Sequence, residues 1–168
     1  NFLPMHDDYV LLMDYALRII SKKRYTISEM RKKLGGFLKR ETDCSETVQN
    51  VLERLIELNY LNDEEYAKHY VADRARFRPR GRRLIERELM LKGIKKDDLL
   101  KAFVKEENGE GYDEILCAED LIRRKHRAWE NFDLKKKREK AFRFLQSKGF
   151  GRDTIYKALR SCYNQITE

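Results

Sequence analysis

Apolar residues recur along the chain at the three- and four-residue spacing of an amphipathic α-helix. The first clear stripe consists of Tyr15, Ala16, Ile19 and Ile20. Later stripes have the same form around Ala67 and Ala118. No stretch shows the sustained alternation of apolar and polar residues that marks a half-buried strand. The pattern therefore predicts an all-α protein.

Polar residues and glycines indicate where the helices begin and end. Thr26 and Asn62 each stand three residues before a glutamate, a spacing that lets cap and glutamate bond reciprocally. Gly36, Gly93 and Gly149 are expected to end helices, because glycine adopts a left-handed backbone easily. Together these signals predict nine helices, over residues 8–24, 28–38, 45–58, 63–77, 82–92, 96–107, 113–130, 135–148 and 152–164.

The nine predicted helices fall into three similar groups of three. Three alanines recur at intervals of 51 residues, and three leucines of the following helices recur at 55 and 56. The last two groups match best, since Lys92-Gly93-Ile94 corresponds to Lys148-Gly149-Phe150. Such self-similarity is typical of repeat proteins. The recurring positions are Ala16, Ala67 and Ala118, and then Leu34, Leu89 and Leu145.

Each group is too small to bury its apolar face alone, so neighbouring groups must stack. The sequence thus predicts three tandem three-helix repeats stacked into an elongated, curved array. The first repeat, with an N-terminal lead, is expected over residues 1–60. The second is expected over 61–108 and the third over 109–168.

The composition excludes several classes of protein. Of 168 residues, 41% are hydrophobic and 39% are charged, which rules out collagen-like and low-complexity chains. The apolar run Tyr9–Met13 is far too short to span a membrane, and the N-terminus lacks the basic and apolar regions of a secretory signal. Three separated cysteines fit free thiols in a reducing compartment. We therefore expect a cytoplasmic protein that does not bind membranes.

An excess of basic residues indicates the kind of partner. The chain carries 37 Lys and Arg against 29 Asp and Glu, with a formal charge of +8. Such a charge attracts polyanions or the acidic surface of another protein. Six arginines lie within Arg74–Arg83, and further runs are Arg123–Arg127 and Lys135–Arg138. One basic run usually marks a solvated helix face, but three in one chain favour a functional surface.

Arg74 differs from its neighbours because its helix points it towards the apolar stripe. On a helical wheel with Tyr66 at zero, Val71 and Phe77 fall at about 140° and 20°, and Arg74 falls at about 80°. Glu88 lies in the apolar stripe of the next helix. Since a buried guanidinium needs a partner, we predict an Arg74–Glu88 ion pair found in the middle repeat alone. The matching positions of the third repeat are Lys125 and Phe144.

The other basic residues are predicted to face solvent and to form a partner-binding surface on the second and third repeats. The planar guanidinium binds carboxylate or phosphate through two parallel hydrogen bonds. Lys135–Arg138 begin a helix, where their charge opposes the helix dipole. Because they gain little within their own helix, this position favours a role in binding a partner. The candidate contact residues are Arg76, Arg78, Arg80, Arg82, Arg83, Arg87, Arg123, Arg124, Arg127, Lys135, Lys136, Lys137 and Arg138.

Signals for catalysis or metal binding are weak. His6, His69 and His126 lack the spacing of zinc ligands, and no phosphate-binding loop of the G-x-x-x-x-G-K-[ST] type occurs. Acidic clusters such as Asp63–Glu65 begin helices, where negative charge is favourable. We therefore predict no catalytic residues, no metal and no cofactor.

Three segments, in this order and spacing, resemble the RecX family of recombinase regulators. They contain Arg24-Tyr25-Thr26 after Ala16-Leu17, then Tyr60-Leu61-Asn62-Asp63, and then Arg80-Gly81 followed by Lys92-Gly93-Ile94. The resemblance covers about residues 10 to 162. It implies a non-enzymatic, all-helical protein that binds the RecA filament and restrains its strand-exchange and SOS coprotease activities. The implied partners are the RecA filament and single- or double-stranded DNA, the DNA being bound weakly or within the filament. We expect the protein to be a monomer.

Two other functions remain open from the residues. One is a stand-alone helical DNA-binding protein that uses its basic helix ends, since three-helix units resemble helix-turn-helix geometry. Against it, no single helix carries a row of base-reading side chains. The other is an enzyme acting on nucleic acid, for which the sequence offers no motif.

Overall fold

The computed structural model describes residues 4–37, 45–104 and 111–164. These ranges contain nine α-helices and no strand, which confirms the all-α prediction. The first helix begins four residues earlier than predicted, at Pro4, because proline is well tolerated in the first turn. The helices are α1 (Pro4–Ile20), α2 (Ile27–Phe37), α3 (Ser45–Glu57), α4 (Asp63–Phe77), α5 (Arg82–Leu91), α6 (Lys96–Ala102), α7 (Glu114–Trp129), α8 (Leu134–Ser147) and α9 (Arg152–Asn164).

The equivalent positions of the three repeats have equivalent environments. The three recurring alanines and the three recurring leucines are all 0% exposed. Gly93 and Gly149 have φ of +86° and +85°, so both adopt the left-handed conformation predicted for helix ends. Ile94 and Phe150, which follow them, are both buried. The sequence repeat is thus confirmed as a structural repeat.

Gly36 does not have the role predicted from the sequence. It lies inside α2, which continues to Phe37, and it is not among the residues with positive φ. A Cβ atom added at Gly36 would meet nothing within 4 Å. The prediction of a left-handed helix end here was therefore wrong, because glycine is permitted in that conformation but does not require it.

The described chain forms two compact units. The first contains residues Asn1–Ala67 and Met90–Ala102, and the second contains Lys68–Leu89 and Phe103–Glu168. The middle repeat contributes to both: α6 belongs to the first unit, and most of α4 and α5 belong to the second. Cys117 and Cys162 are free thiols, while Cys44 lies outside the described residues. Burial raises the pKa of Cys117 to about 11, so this thiol stays protonated at neutral pH.

In the first unit, α1, α2 and α3 pack around one apolar core. Each helix contributes residues spaced three or four apart, as an amphipathic helix must to bury one stripe. The buried set extends to Leu61, just before α4. Its members are Leu12, Ala16, Met30, Leu34, Val48, Val51, Leu52, Leu55 and Leu61.

The start of α2 is held by hydrogen bonds to the other elements of this unit. The Glu29 N–H donates to Thr26 Oγ1 at 3.1 Å and the Thr26 N–H donates to Glu29 Oε2 at 3.3 Å, the reciprocal cap predicted from the sequence. Thr26 Oγ1 donates to the Lys92 carbonyl at 2.7 Å, and the Ile27 N–H donates to Asp63 Oδ1 at 2.9 Å. The Lys92 ammonium lies 2.6 Å from Glu29 Oε1.

The Glu29→Gln substitution is expected to lower the free energy of unfolding by about 1 kcal/mol at pH 7, since a half-buried, charge-assisted bond is lost. Burial alone would raise the pKa of Glu29, but the Lys92 ammonium and the Thr26 N–H outweigh it and hold the pKa below its usual value. A carboxylate with a lowered pKa stabilises the fold above its unfolded pKa, and this contribution is lost as the pH falls through the folded value. Urea unfolding of the wild type and of Glu29→Gln between neutral and acidic pH should therefore show a gap in the free energy of unfolding that closes below about pH 4. A gap that stays constant across this range would contradict the assignment.

In the second unit, α7, α8 and α9 pack together with the Lys68–Leu89 segment. Asp113 caps α7 by accepting hydrogen bonds from the N–H groups of Ile115 and Leu116. The α8 helix begins after Asp133, which accepts from the Lys136 N–H at 2.8 Å. The fully buried side chains of these helices are Ala118, Ala141, Leu145, Ile155 and Ala158.

Candidate partner-binding surface

The connection between α4 and α5 is held against the third repeat within the second unit. Pro79 is buried, and the Gly81 N–H donates to the Lys148 carbonyl at 2.9 Å. The Tyr112 hydroxyl donates to the Arg80 carbonyl at 2.6 Å. The Arg82 N–H donates to Glu114 Oε1 at 2.8 Å. These bonds fix the backbone from which the arginines of this segment extend.

Arg74 and Glu88 lie together, with Nε 3.0 Å from Oε2. The Tyr70 hydroxyl donates to the same Glu88 oxygen at 2.7 Å and accepts a hydrogen bond from Arg74 Nη2 at 2.6 Å. The Arg74 guanidinium also lies over the Tyr70 ring, 4.7 Å from its centroid. Burial and the neighbouring Glu88 carboxylate raise the pKa of Tyr70, so its hydroxyl remains a donor. This cluster joins α4 to α5 and is architectural.

The matching positions of the third repeat make a different contact. The Lys125 ammonium lies 5.5 Å from the centroid of the Phe144 ring, a distance within the range of a cation–π interaction. The repeat thus keeps a cation on its first helix facing the second helix, but it replaces the carboxylate by an aromatic ring.

Arg80 and Arg82, predicted as contact residues, are engaged within the chain. Arg80 forms an ion pair with the free oxygen of Glu88, so one carboxylate holds two guanidinium groups. Arg82 pairs with Glu86 at 2.7 Å and lies 4.7 Å from the centroid of the Phe103 ring. Helical periodicity cannot show the Arg80 pairing, because it depends on how the irregular Pro79–Gly81 connection folds back.

Four arginines of this region remain directed to solvent. Arg76, Arg78, Arg83 and Arg87 are exposed, and none of them has an ion-pair partner in the part of the chain that the structure describes. Arg83 and Arg87 are four residues apart on α5 and share one face. We call these four residues the outer arginines. They are the part of the predicted arginine surface that is open to a partner.

Phe77 is a second difference from the sequence prediction. Its place in the apolar stripe of α4 predicted burial, but the side chain is 63% exposed. Phe77 is the last residue of α4, where the helical stripe of buried residues ends. The Arg76 guanidinium lies over this ring, 5.3 Å from the centroid.

The basic residues of the third repeat lie around the turn between α7 and α8. Arg123 pairs with Glu119 at 2.9 Å and Arg124 pairs with Asp120, each four residues earlier on α7. Arg127 is exposed at the end of α7. The predicted contact residues on α8 occupy its first two turns; Lys135 and Lys136 are exposed, and Lys137 and Arg138 are half-buried.

The structure groups the predicted contact residues into two clusters. The α4–α5 connection meets the third repeat at the start of α7 and the end of α8, through Glu114 and Lys148. Arg127 and Arg138 lie towards the opposite ends of these two helices, about 20 and 15 Å away along the helix axes at 1.5 Å per residue. The sequence predicted one partner-binding surface on the second and third repeats and did not show that its residues fall into two clusters.

No group of acidic, histidine or cysteine residues that could hold a metal occurs within the ranges 4–37, 45–104 and 111–164. None of the helices described is both long enough and apolar enough to cross a membrane.

Models of known protein families match two stretches of the chain. Residues 62–102 match the second three-helix domain of RecX and residues 113–159 match the third, which together make up more than half of the chain. The chain belongs to the RecX family. This confirms the resemblance stated from the sequence, and it agrees with the repeat architecture of the described helices.

Members of the RecX family are similar to this chain over most of its length. The regulatory protein RecX of Clostridium perfringens (strain SM101 / Type A) is 36% identical over 162 residues, which cover 94% of this chain and 71% of the relative. The regulatory protein RecX of Actinobacillus pleuropneumoniae serotype 5b (strain L20) is 31% identical over 153 residues, covering 90% and 93%. The crystal structure of RecX from Lactobacillus salivarius superposes with a TM-score of 0.79 at 22% identity, covers 96% of this chain and 99% of that one, and supports the fold.

Proposed function

We propose that this RecX-family chain is a non-enzymatic regulator that binds the RecA filament on DNA and restrains its recombination and coprotease activities. It acts as a cytoplasmic monomer. The observation that carries the proposal is the set of outer arginines, which stay exposed and unpaired among the described residues while Arg74, Arg80 and Arg82 are held by acids. An unpaired, exposed guanidinium keeps its full capacity to bind carboxylate or phosphate.

The repeats supply more than one contact surface. We propose three repeats over residues 1–60, 61–108 and 109–168, with the outer arginines on the second. The basic residues at the α7–α8 turn of the third repeat form a second cluster. Two weak contacts on one chain reinforce each other, because binding at the first raises the effective concentration at the second. A filament offers the repeated sites that such an arrangement needs.

Changing Arg76, Arg83 and Arg87 together to glutamate is expected to weaken suppression of RecA ATP hydrolysis at least about tenfold, which corresponds to about 1.4 kcal/mol. The physical reason is that like charges then face the anionic partner surface. The measurement is the concentration of the chain needed to halve ATP hydrolysis by RecA on single-stranded DNA. Circular dichroism should show unchanged helix content, since all three side chains are exposed.

The matched control changes Lys22, Lys32 and Lys33 to glutamate, which removes the same charge from exposed positions in the first repeat. This variant should suppress ATP hydrolysis within about twofold of the wild type. Equal loss in both triple variants would mean that net charge alone drives the effect. Full suppression by the outer-arginine variant would remove this surface from the proposal.

The stand-alone DNA-binding function is supported by one observation, the basic α7–α8 turn with Arg127 and Lys135 exposed. A salt titration separates the two functions. A protein that neutralises about six phosphates of bare DNA should lose affinity with a log–log slope of roughly −4 to −5. Weak binding to bare DNA that tightens when RecA is added would exclude the stand-alone function.

A further inference from the structure

A groove on the third repeat lies next to the second basic cluster and shares Arg138 with it. It runs between α8 and α9, has a volume of about 500 Å³, and is lined by Arg138, Glu139, Phe142, Arg143, Tyr156, Leu159 and Arg160. The α8 members are spaced by one and four residues and the α9 members by three and four, so each helix contributes one face. We call this the α8–α9 groove.

The floor of the groove is apolar and one wall is aromatic. Leu159 is 8% exposed and forms part of the core, whereas the Tyr156 side chain is 60% exposed. The Tyr156 ring packs against the Phe142 ring in a tilted arrangement, with the ring centroids 5.6 Å apart and the planes at 48°. An exposed tyrosine over a buried leucine leaves apolar area that a bound side chain could cover. The volume of the groove lies within the range of ligand-binding clefts.

The rim of the groove is cationic. Arg143 and Arg160 are exposed, one on each helix, and neither has an ion-pair partner among the residues described in this repeat. Arg138 and Glu139 also line the groove, and the two exposed guanidinium groups of Arg143 and Arg160 outnumber the one lining carboxylate. The occupant must therefore carry negative charge, and it must also bring an apolar group for the floor.

We infer that the α8–α9 groove binds an acidic peptide segment whose single apolar side chain fills the groove between Phe142 and Tyr156. Carboxylates of the segment pair with Arg143 and Arg160. Glu139 favours a peptide over a nucleic acid strand, because a peptide can place a neutral residue or an N–H beside this carboxylate, whereas every nucleotide adds a phosphate. The tilted Phe142–Tyr156 pair also differs from the parallel platforms on which successive bases stack. Aromatic and arginine side chains around a pocket are typical of protein–protein hot spots.

Fluorescence anisotropy with a labelled synthetic peptide tests this inference. The peptide carries one tryptophan between runs of Asp and Glu, and its partner peptide has serine in place of the tryptophan. The full chain should bind the tryptophan peptide with a micromolar Kd and the serine peptide at least about tenfold more weakly. Tyr156→Ser, and separately Arg143→Ser with Arg160→Ser, should each weaken binding of the tryptophan peptide at least about tenfold.

A control variant changes Arg152 and Lys157 to serine, which removes two exposed charges from α9 outside the groove. It should bind the tryptophan peptide within about twofold of the wild type. Equal loss in the two double-serine variants, equal affinity for both peptides, or no binding would overturn the inference. Preferential, Tyr156-dependent binding of labelled oligo(dT) would also overturn it, in favour of a nucleic acid site.

Peptide binding in the α8–α9 groove goes beyond the proposed function. If the groove does not bind the peptide, filament binding through the outer arginines can still hold. The variant with Arg76, Arg83 and Arg87 changed to glutamate keeps the groove and should bind the tryptophan peptide within about twofold of the wild type. The Tyr156→Ser variant keeps the outer arginines, so filament binding through that surface remains measurable on its own. Helix content and melting temperature of Tyr156→Ser should match the wild type, since the side chain is mostly exposed.

Discussion

Gly81→Ala is expected to lower the free energy of unfolding by about 3 kcal/mol or more, among the largest effects of a single methyl group. A Cβ atom at Gly81 would lie 2.1 Å from the Gly149 carbonyl oxygen, 2.2 Å from its carbonyl carbon and 2.4 Å from the Phe150 nitrogen. All three are backbone atoms, so no change of rotamer relieves the clash. The Gly81 N–H bond to the Lys148 carbonyl would also have to lengthen or break. For a chain of this size, such a loss lowers the melting temperature by roughly 6–12 °C.

The matched control is Gly151→Ala, in the turn that Gly81 contacts. A Cβ atom at Gly151 would meet nothing within 4 Å, and its φ is not positive. Its melting temperature should therefore stay within about 2 °C of the wild type. Amide hydrogen exchange should show that Gly81→Ala exposes the N–H groups of Gly81 and Phe150 and that Gly151→Ala does not. A Gly81→Ala protein as stable as the control would mean that the two turns are not in contact.

Glu88→Gln is expected to cost about 2 kcal/mol of unfolding free energy. The carboxylate accepts from the Tyr70 hydroxyl and pairs with both Arg74 and Arg80, and a neutral amide leaves two guanidinium groups facing each other. The three charged side chains are 17–33% exposed. The cost should thus lie above the 0.2–1 kcal/mol or so of a surface pair and below the 3–5 kcal/mol or so of a fully buried one. Urea unfolding at moderate salt measures it.

Glu86→Gln is the control for Glu88→Gln, because it removes the same charge two residues away on α5. Glu86 pairs with Arg82, and their side chains are 30% and 43% exposed. A loss below about 0.5 kcal/mol is expected for this i, i+4 pair. If Glu88→Gln and Glu86→Gln unfold at the same urea concentration, the Glu88 cluster is not the link between α4 and α5 that we describe.

Helical periodicity was sufficient to predict most of the fold. The recurring alanines and leucines identified the buried stripes, and their register identified the repeat. The placement of Arg74 opposite Glu88 followed from the same periodicity, because both side chains lie on apolar stripes of neighbouring helices. What these predictions share is that each depends on one helix, or on two helices joined by a short turn.

Helical periodicity predicted the candidate partner-binding surface less completely than it predicted the fold. The pairing of Arg80 with Glu88 and the close contact of Gly81 with Gly149 depend on how irregular turns meet, which no spacing of residues encodes. Phe77 was expected in the core because it follows an apolar stripe, and no residue spacing singled out Tyr156, yet each is more than half exposed. Their exposure depends on which neighbouring element covers them. The α8–α9 groove was missed for the same reason.

Co-sedimentation of the chain with RecA filaments formed on single-stranded DNA tests the central claim, that this RecX-family protein recognises the filament through its outer arginines. Free RecA and bare single-stranded DNA serve as separate controls. The account predicts that the wild type pellets with the filament, binds each control much more weakly, and loses filament binding when Arg76, Arg83 and Arg87 become glutamate. Equal binding to bare DNA and to the filament, or undiminished filament binding by that variant, would contradict it.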